Sequence, residues 1–165
     1  MKTIDKNQVF EWLSKRNLLD NNSGLTVSDF PFSHSFRITG DSGTKTNISR
    51  AIGALVTNYS GESLLWINEY GIWPSCEDFN LFDGFRRSLG EKEPVYIRPG
   101  HLFCVEDIDN IQSIIAMVLY FVWGALIVTE SKDIIVRISH DEYIDIYSKY
   151  DINVSRIKDL CEADN

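Results

Sequence analysis

The sequence predicts an α+β fold, a mixed sheet with a C-terminal antiparallel hairpin packed against helices, in one domain spanning residues 1–165. Three observations predict it. Apolar residues recur at helical spacing in several stretches, above all from Asp107 to Trp123. Short β-branched runs alternate with those stretches. Two of the runs, Ala125–Thr129 and Ile134–Ser139, lie close enough to pair as a hairpin around Glu130-Ser131-Lys132-Asp133. The chain has 165 residues, 44% of them hydrophobic and 24% charged. A globular chain of that size buries roughly 70% of the surface its unfolded form exposes, so it needs no disulfide or metal to fold.

The elements follow in order. Asp5 caps a first helix from Lys6 to Leu19, with Val9, Phe10, Trp12 and Leu13 on its apolar side. Asn21–Gly24 is a loop. Ser33–Thr39 is a short strand, since Phe36 and Ile38 alternate with polar residues. Gly40–Lys45 is a loop, and Thr46 or Asn47 caps a helix reaching Tyr59, with Ile48, Ile52, Leu55 and Val56 inward. Ser63–Asn68 is a strand whose unbroken run Leu64-Leu65-Trp66-Ile67 predicts cover on both faces. After a turn at Gly71–Pro74, Ser75 caps a helix to Leu89 that carries Phe79, Phe82, Phe85 and Leu89 at spacings of three and four. Gly90 sits where such a helix stops.

Val95–Arg98 reads as a strand stub before the turn pair Pro99-Gly100, and Phe103 opens a second stub. The helix Asp107–Trp123 is apolar on nearly all sides and predicts a buried, central position. Glu106, Asp107 and Asp109 suit its positive N-terminus. Asp141 starts a helix to Tyr150, and Val154–Cys161 forms a last, polar helix.

The formal charge is −8, and it is unevenly placed. No Lys or Arg lies between Arg50 and Arg86, or between Arg98 and Lys132. Such a surface repels phosphate backbones and attracts basic proteins, which sets nucleic acid aside as a partner. The N-terminal stretch has no hydrophobic signal core, and the three cysteines, Cys76, Cys104 and Cys161, lack CxxC spacing. Together they predict a cytoplasmic protein with reduced thiols. The uncharged run Ile114–Val128 is 15 residues long, short of the about 20 a spanning helix needs, so no membrane partner is expected.

Three groups of residues are candidates for chemistry or binding. Gly40, Gly43, Lys45 and Thr46 form a strand–glycine loop–helix sequence resembling a phosphate cradle. A phosphate loop of the P-loop type requires Gly directly before Lys, however, and here Thr44 intervenes. A tight loop that caps a helix is the alternative reading. Cys104 and His140 form a candidate thiol–imidazole pair, because a catalytic thiol needs a neighbouring base, and Asp141 would orient the ring. An inert cysteine is the alternative. His34, His101 and His140 are scattered without metal-ligand spacing, so neither metal nor cofactor is expected.

The third candidate is an interaction surface made of Glu69, Trp73, Glu77, Asp78 and Asp83: aromatic anchors on acidic ground suit a basic protein partner. The helical spacing of the aromatics also fits a core with a solvated acidic face. In size and acidity the chain is similar to the small immunity and inhibitor proteins that bacteria use against toxins. That similarity implies a stable scaffold with one complementary face that neutralises a basic, toxin-like protein by occlusion. An enzyme using the Cys104/His140 pair or the Gly40–Thr46 loop is the competing reading.

Overall fold

The structure, a computed structural model, describes residues 1–19, 26–39, 41–58 and 61–162. In chain order these form β1 (Lys2–Ile4), α1 (Lys6–Ser14), β2 (Phe32–Arg37), α2 (Ser42–Thr57), β3 (Ser63–Glu69) and α3 (Phe79–Ser88). There follow β4 (Gly100–Phe103), a 3₁₀ turn (Val105–Asp107), α4 (Ile108–Tyr120), β5 (Gly124–Val128), β6 (Ile134–Ser139), β7 (Tyr143–Ser148) and α5 (Ser155–Glu162). The fold is α+β.

The seven strands make one sheet in the order β1-β4-β3-β5-β6-β7-β2. Every pairing is antiparallel, so the sheet is not mixed as expected. The unbroken apolar run of β3 has a different cause from parallel pairing: helices lie on both faces. Leu65 and Ile67 point to one side, into a core built with α2, α4 and α5. Leu64 points to the other side, where α1 brings Val9, Trp12 and Leu13. The fully buried aliphatic side chains among them, Val9, Leu13, Leu64, Leu65 and Ile67, each contribute about 1.5–3 kcal/mol through the apolar area removed from water.

Several boundaries differ from the sequence reading, each for a local reason. α1 ends at Ser14, and Asn17 takes a left-handed conformation (φ 54°) that turns the chain out of the helix. α2 starts earlier than expected, because the Asp41 carboxylate accepts a bond from the Thr44 N–H and serves as the cap. α3 starts later than expected, capped by Asp78 through the Leu81 N–H, and not by Ser75. Residues 95–98 are not a strand: the N–H groups of Ile97 and Arg98 both turn back to the Pro94 carbonyl.

The largest difference is β7, where a helix was expected. Tyr143 to Ser148 alternates between exposed or half-buried and buried positions at period two, with β-branched Ile144 and Ile146 facing the core. That alternation outweighs the capping signal of Asp141. α4 buries Ile111, Ile114, Ile115, Val118 and Leu119 on one side. Asp109 and Tyr120 remain exposed, so the helix covers the sheet beside α2 and is not enclosed on all sides. Among the described residues, no helix is long and apolar enough to cross a membrane.

Candidate functional site

β3 delivers the chain to the candidate surface. Its ladder shifts register between Ile67 and Glu69, and Glu69 turns its carboxylate to the His140 Nδ1 at 2.7 Å. That bond, with the attraction of the carboxylate itself, raises the proton affinity of His140 above the ordinary imidazole range. The charge of Glu69 is therefore directed at the protein's own β6–β7 turn.

Gly71 then adopts φ +78°, a conformation open to glycine without strain, and reverses the chain. The loop that follows closes on Glu77. Its carboxylate accepts from the N–H groups of Gly71 at 2.9 Å, Ile72 at 3.0 Å and Trp73 at 3.1 Å. Three consecutive amides converging on one carboxylate fix the loop backbone. Asp78 caps α3. Asp83 accepts from the Val95 N–H at 3.0 Å and pairs with Arg86 at 3.4 Å. Glu69, Glu77, Asp78 and Asp83 thus each accept a bond from within the chain; Asp78 is exposed and the other three are half-buried.

Beside exposed polar residues such as Ser75, Asp78 and Asn80, this segment turns large apolar side chains outward. Trp73 is 46% exposed, Ile72 41% and Leu81, on the first turn of α3, 56%. Tyr96 and Ile97 are also exposed and flank α3 through the Val95–Asp83 contact. These five make up half of the ten large hydrophobic side chains exposed among the described residues, although they fall within residues 72–97.

The underside of α3 is the converse. Phe79 and Phe82 pack on Trp123, at ring separations of 5.2 and 5.1 Å. The Arg86 side chain is fully buried, held by Asp83 and by the Arg98 carbonyl at 2.8 Å. Burial lowers its proton affinity from the usual guanidinium value. His101 on β4 sits beneath, between Thr3 and Leu65 in the sheet, with its ring 6.4 Å from Phe82. Neither of its ring nitrogens has a hydrogen-bond partner, and burial, with Arg86 adding repulsion, pushes its pKa down to about 3. The imidazole is neutral throughout the physiological range. No sequence signal separated His101 from the other two histidines, because its burial is set by the β1–β4–β3 pairing.

The other candidates are taken apart by the structure. Gly40 lies outside the described residues. Gly43, Lys45 and Thr46 belong to the first turns of α2. Asp41 already fills the helix N-terminus, and its own acidity is increased by the Thr44 N–H. The Lys45 ammonium reaches the Leu119 carbonyl at 3.3 Å and Glu142 at 3.4 Å, and the Thr46 hydroxyl donates back to the Ser42 carbonyl. The groups a phosphate would need are committed.

Cys104 and His140 do not form a pair. Cys104 follows Phe103, which pairs with Ser63 at the start of β3, while His140 bonds Glu69 at its end. The length of β3 places them ~20 Å apart. The Cys104 thiol is instead pushed up to about 11, first by Glu106 and then by burial and Asp107. That is the reverse of what a nucleophile needs. Among the described residues no three His, Cys, Asp or Glu side chains converge as a metal site would require. No protein-family model, curated protein or solved structure matches the chain.

Proposed function

We propose that this chain is a protein-binding module that acts by occlusion, presenting loop 71–76 and the exposed side of α3 to a basic partner. On this reading it works as an immunity or inhibitor protein does, neutralising a toxin-like protein in the bacterial cytoplasm. The observation that carries the proposal is Trp73: a large aromatic side chain, 46% exposed, on a loop whose backbone Glu77 holds in place. A pre-organised aromatic loses little freedom on binding and supplies much contact area, which is the character of interface hot spots. Ile72 and Leu81 extend that area. The charge of −8 contributes long-range attraction for a basic protein. Individual carboxylates are not the contact groups in this account. The three free cysteines, Cys76, Cys104 and Cys161, suit a reducing compartment.

The test is affinity capture on immobilised protein, comparing the wild type with Trp73→Ala/Leu81→Ala. Both positions are exposed, so the double variant keeps the fold. The wild type retains a basic protein, and the variant loses at least about tenfold in affinity, the scale of a removed hot spot. Undiminished capture by the variant, or a captured protein of acidic character, defeats the reading.

A further inference from the structure

The two edges of the sheet are unlike. β1, at one end, has three residues. β2, at the other, has six, paired to β7 in unbroken register from Phe32–Ser148 to Arg37–Tyr143. Among the described residues, no backbone group of 32–37 is hydrogen-bonded to anything but β7. Alternate N–H and C=O groups of an edge strand point away from the sheet, and such an edge pairs with another strand unless something blunts it. From Phe32 to Phe36 the strand carries no Lys, Arg, Pro or bulge to do so, and the exposed Arg37 lies at its end.

Its sequence is also symmetric. Phe32-Ser33-His34-Ser35-Phe36 reads identically in both directions about His34. Laid antiparallel against a second copy, with a two-fold axis through His34, Phe32 faces the second copy's Phe36, Ser33 faces its Ser35, and His34 faces its own equivalent. Each residue meets one an even number of positions away, so both members of every pair project from the same face. A slip of one residue sets phenylalanine against serine and mismatches the faces.

The environment of the strand suits that arrangement. Phe36 packs against the core on the side of α2, α4 and α5, and the His34 ring stacks on it at 6.2 Å, with the planes 3° apart. Phe32 is exposed, and the His34 Nε2 is shielded without a hydrogen-bond partner. In the paired form the aromatic rows of the two copies continue each other across the seam, at the ordinary separation of facing side chains. Ser33 and Ser35 lie exposed on the opposite face.

We propose that β2 is a homodimer seam, joining two seven-stranded sheets into one continuous antiparallel sheet through the Phe32–Phe36 palindrome. The seam is independent of the docking surface. β3, which leads into that surface, lies four strands away, ~19 Å across the sheet. The dimer therefore leaves both α3 surfaces free and presents two of them at once.

The experiment is sedimentation velocity on the full chain, with circular dichroism to confirm that each variant is folded. The wild type sediments at twice the chain mass of 18.9 kDa. Ser33→Lys/Ser35→Lys places an ammonium opposite an ammonium at both serine pairs, and the mass halves. Ser33→Glu/Ser35→Lys places a carboxylate at position 33 opposite the second copy's ammonium at position 35, and the dimer persists. The lysine introduced at position 35 adjoins Asp145 equally in both variants, since Ser35 and Asp145 face each other on β2 and β7. A wild type that stays at the single-chain mass up to millimolar concentration overturns the proposal. So does a dimer that survives Ser33→Lys/Ser35→Lys, or two charge variants that behave alike.

Discussion

The N-terminus of α2 and the region around α3 begin alike and end differently. In each, an aspartate caps a helix, Asp41 in one and Asp78 in the other. In each, neighbouring polar groups find partners within the chain. Around α2 the result is ordinary: Ile48, Ile52 and Val56 go inward, and the buried Ser49 hydroxyl donates to the Thr46 carbonyl. Around α3 the arrangement is inverted. Arg86 and His101 are buried, while Ile72, Trp73, Leu81, Tyr96 and Ile97 are exposed. The same region thus leaves a tryptophan half in solvent and takes an arginine wholly inside. On the proposed function, the contrast separates groups that hold the scaffold from groups that meet a partner.

The largest effect is expected from breaking the buried side of α3. Arg86→Ala removes a side chain with no solvent exposure and strands Asp83, so it costs about 3–5 kcal/mol of stability in chemical denaturation. The acid limb of the stability profile sharpens the same point. His101 has a folded-state pKa pushed from 6.5 to about 3, so the unfolded chain takes up its proton first. Its contribution is complete above pH 6.5 and is lost as the pH falls from 6.5 toward 3, by up to about 1.4 kcal/mol per unit. Denaturation of His101→Leu as a function of pH shows a flatter acid limb than the wild type.

Smaller changes test the exposed side. Glu77→Ala frees three backbone amides and costs about 1–2 kcal/mol, with faster hydrogen exchange at Gly71, Ile72 and Trp73. It weakens partner capture although Trp73 is intact. Asp41→Ala, the matching change at α2, lowers the melting temperature slightly and leaves capture unchanged. If the two variants affected capture equally, the distinction between the regions would fail.

Much of the fold was legible in the sequence. The apolar spacing of Ile111, Ile115, Val118 and Leu119 marked α4, and the runs Ala125–Thr129 and Ile134–Ser139 marked a hairpin that β5 and β6 form. β1 escaped notice because it is only three residues long, and β4 was set too late, at Phe103, because Pro99-Gly100 reads as a turn pair. β7 was misread because a capping aspartate precedes it, although the alternation of Ile144 and Ile146 was present in the sequence. At the candidate site, Trp73 could be picked out, since an aromatic beside Gly71 and Pro74 is a natural loop residue. The roles of Glu77 and Asp83 could not. Whether a carboxylate meets solvent or its own backbone depends on where a loop closes, and residue spacing does not encode that.

The most direct measurement is hydrogen–deuterium exchange on the chain with and without its captured partner. The account predicts protection concentrated at residues 71–73, 80–82 and 96–97, with the α2 N-terminus at 41–46 unchanged. Protection at 41–46, with 71–73 exchanging as in the free chain, would contradict it.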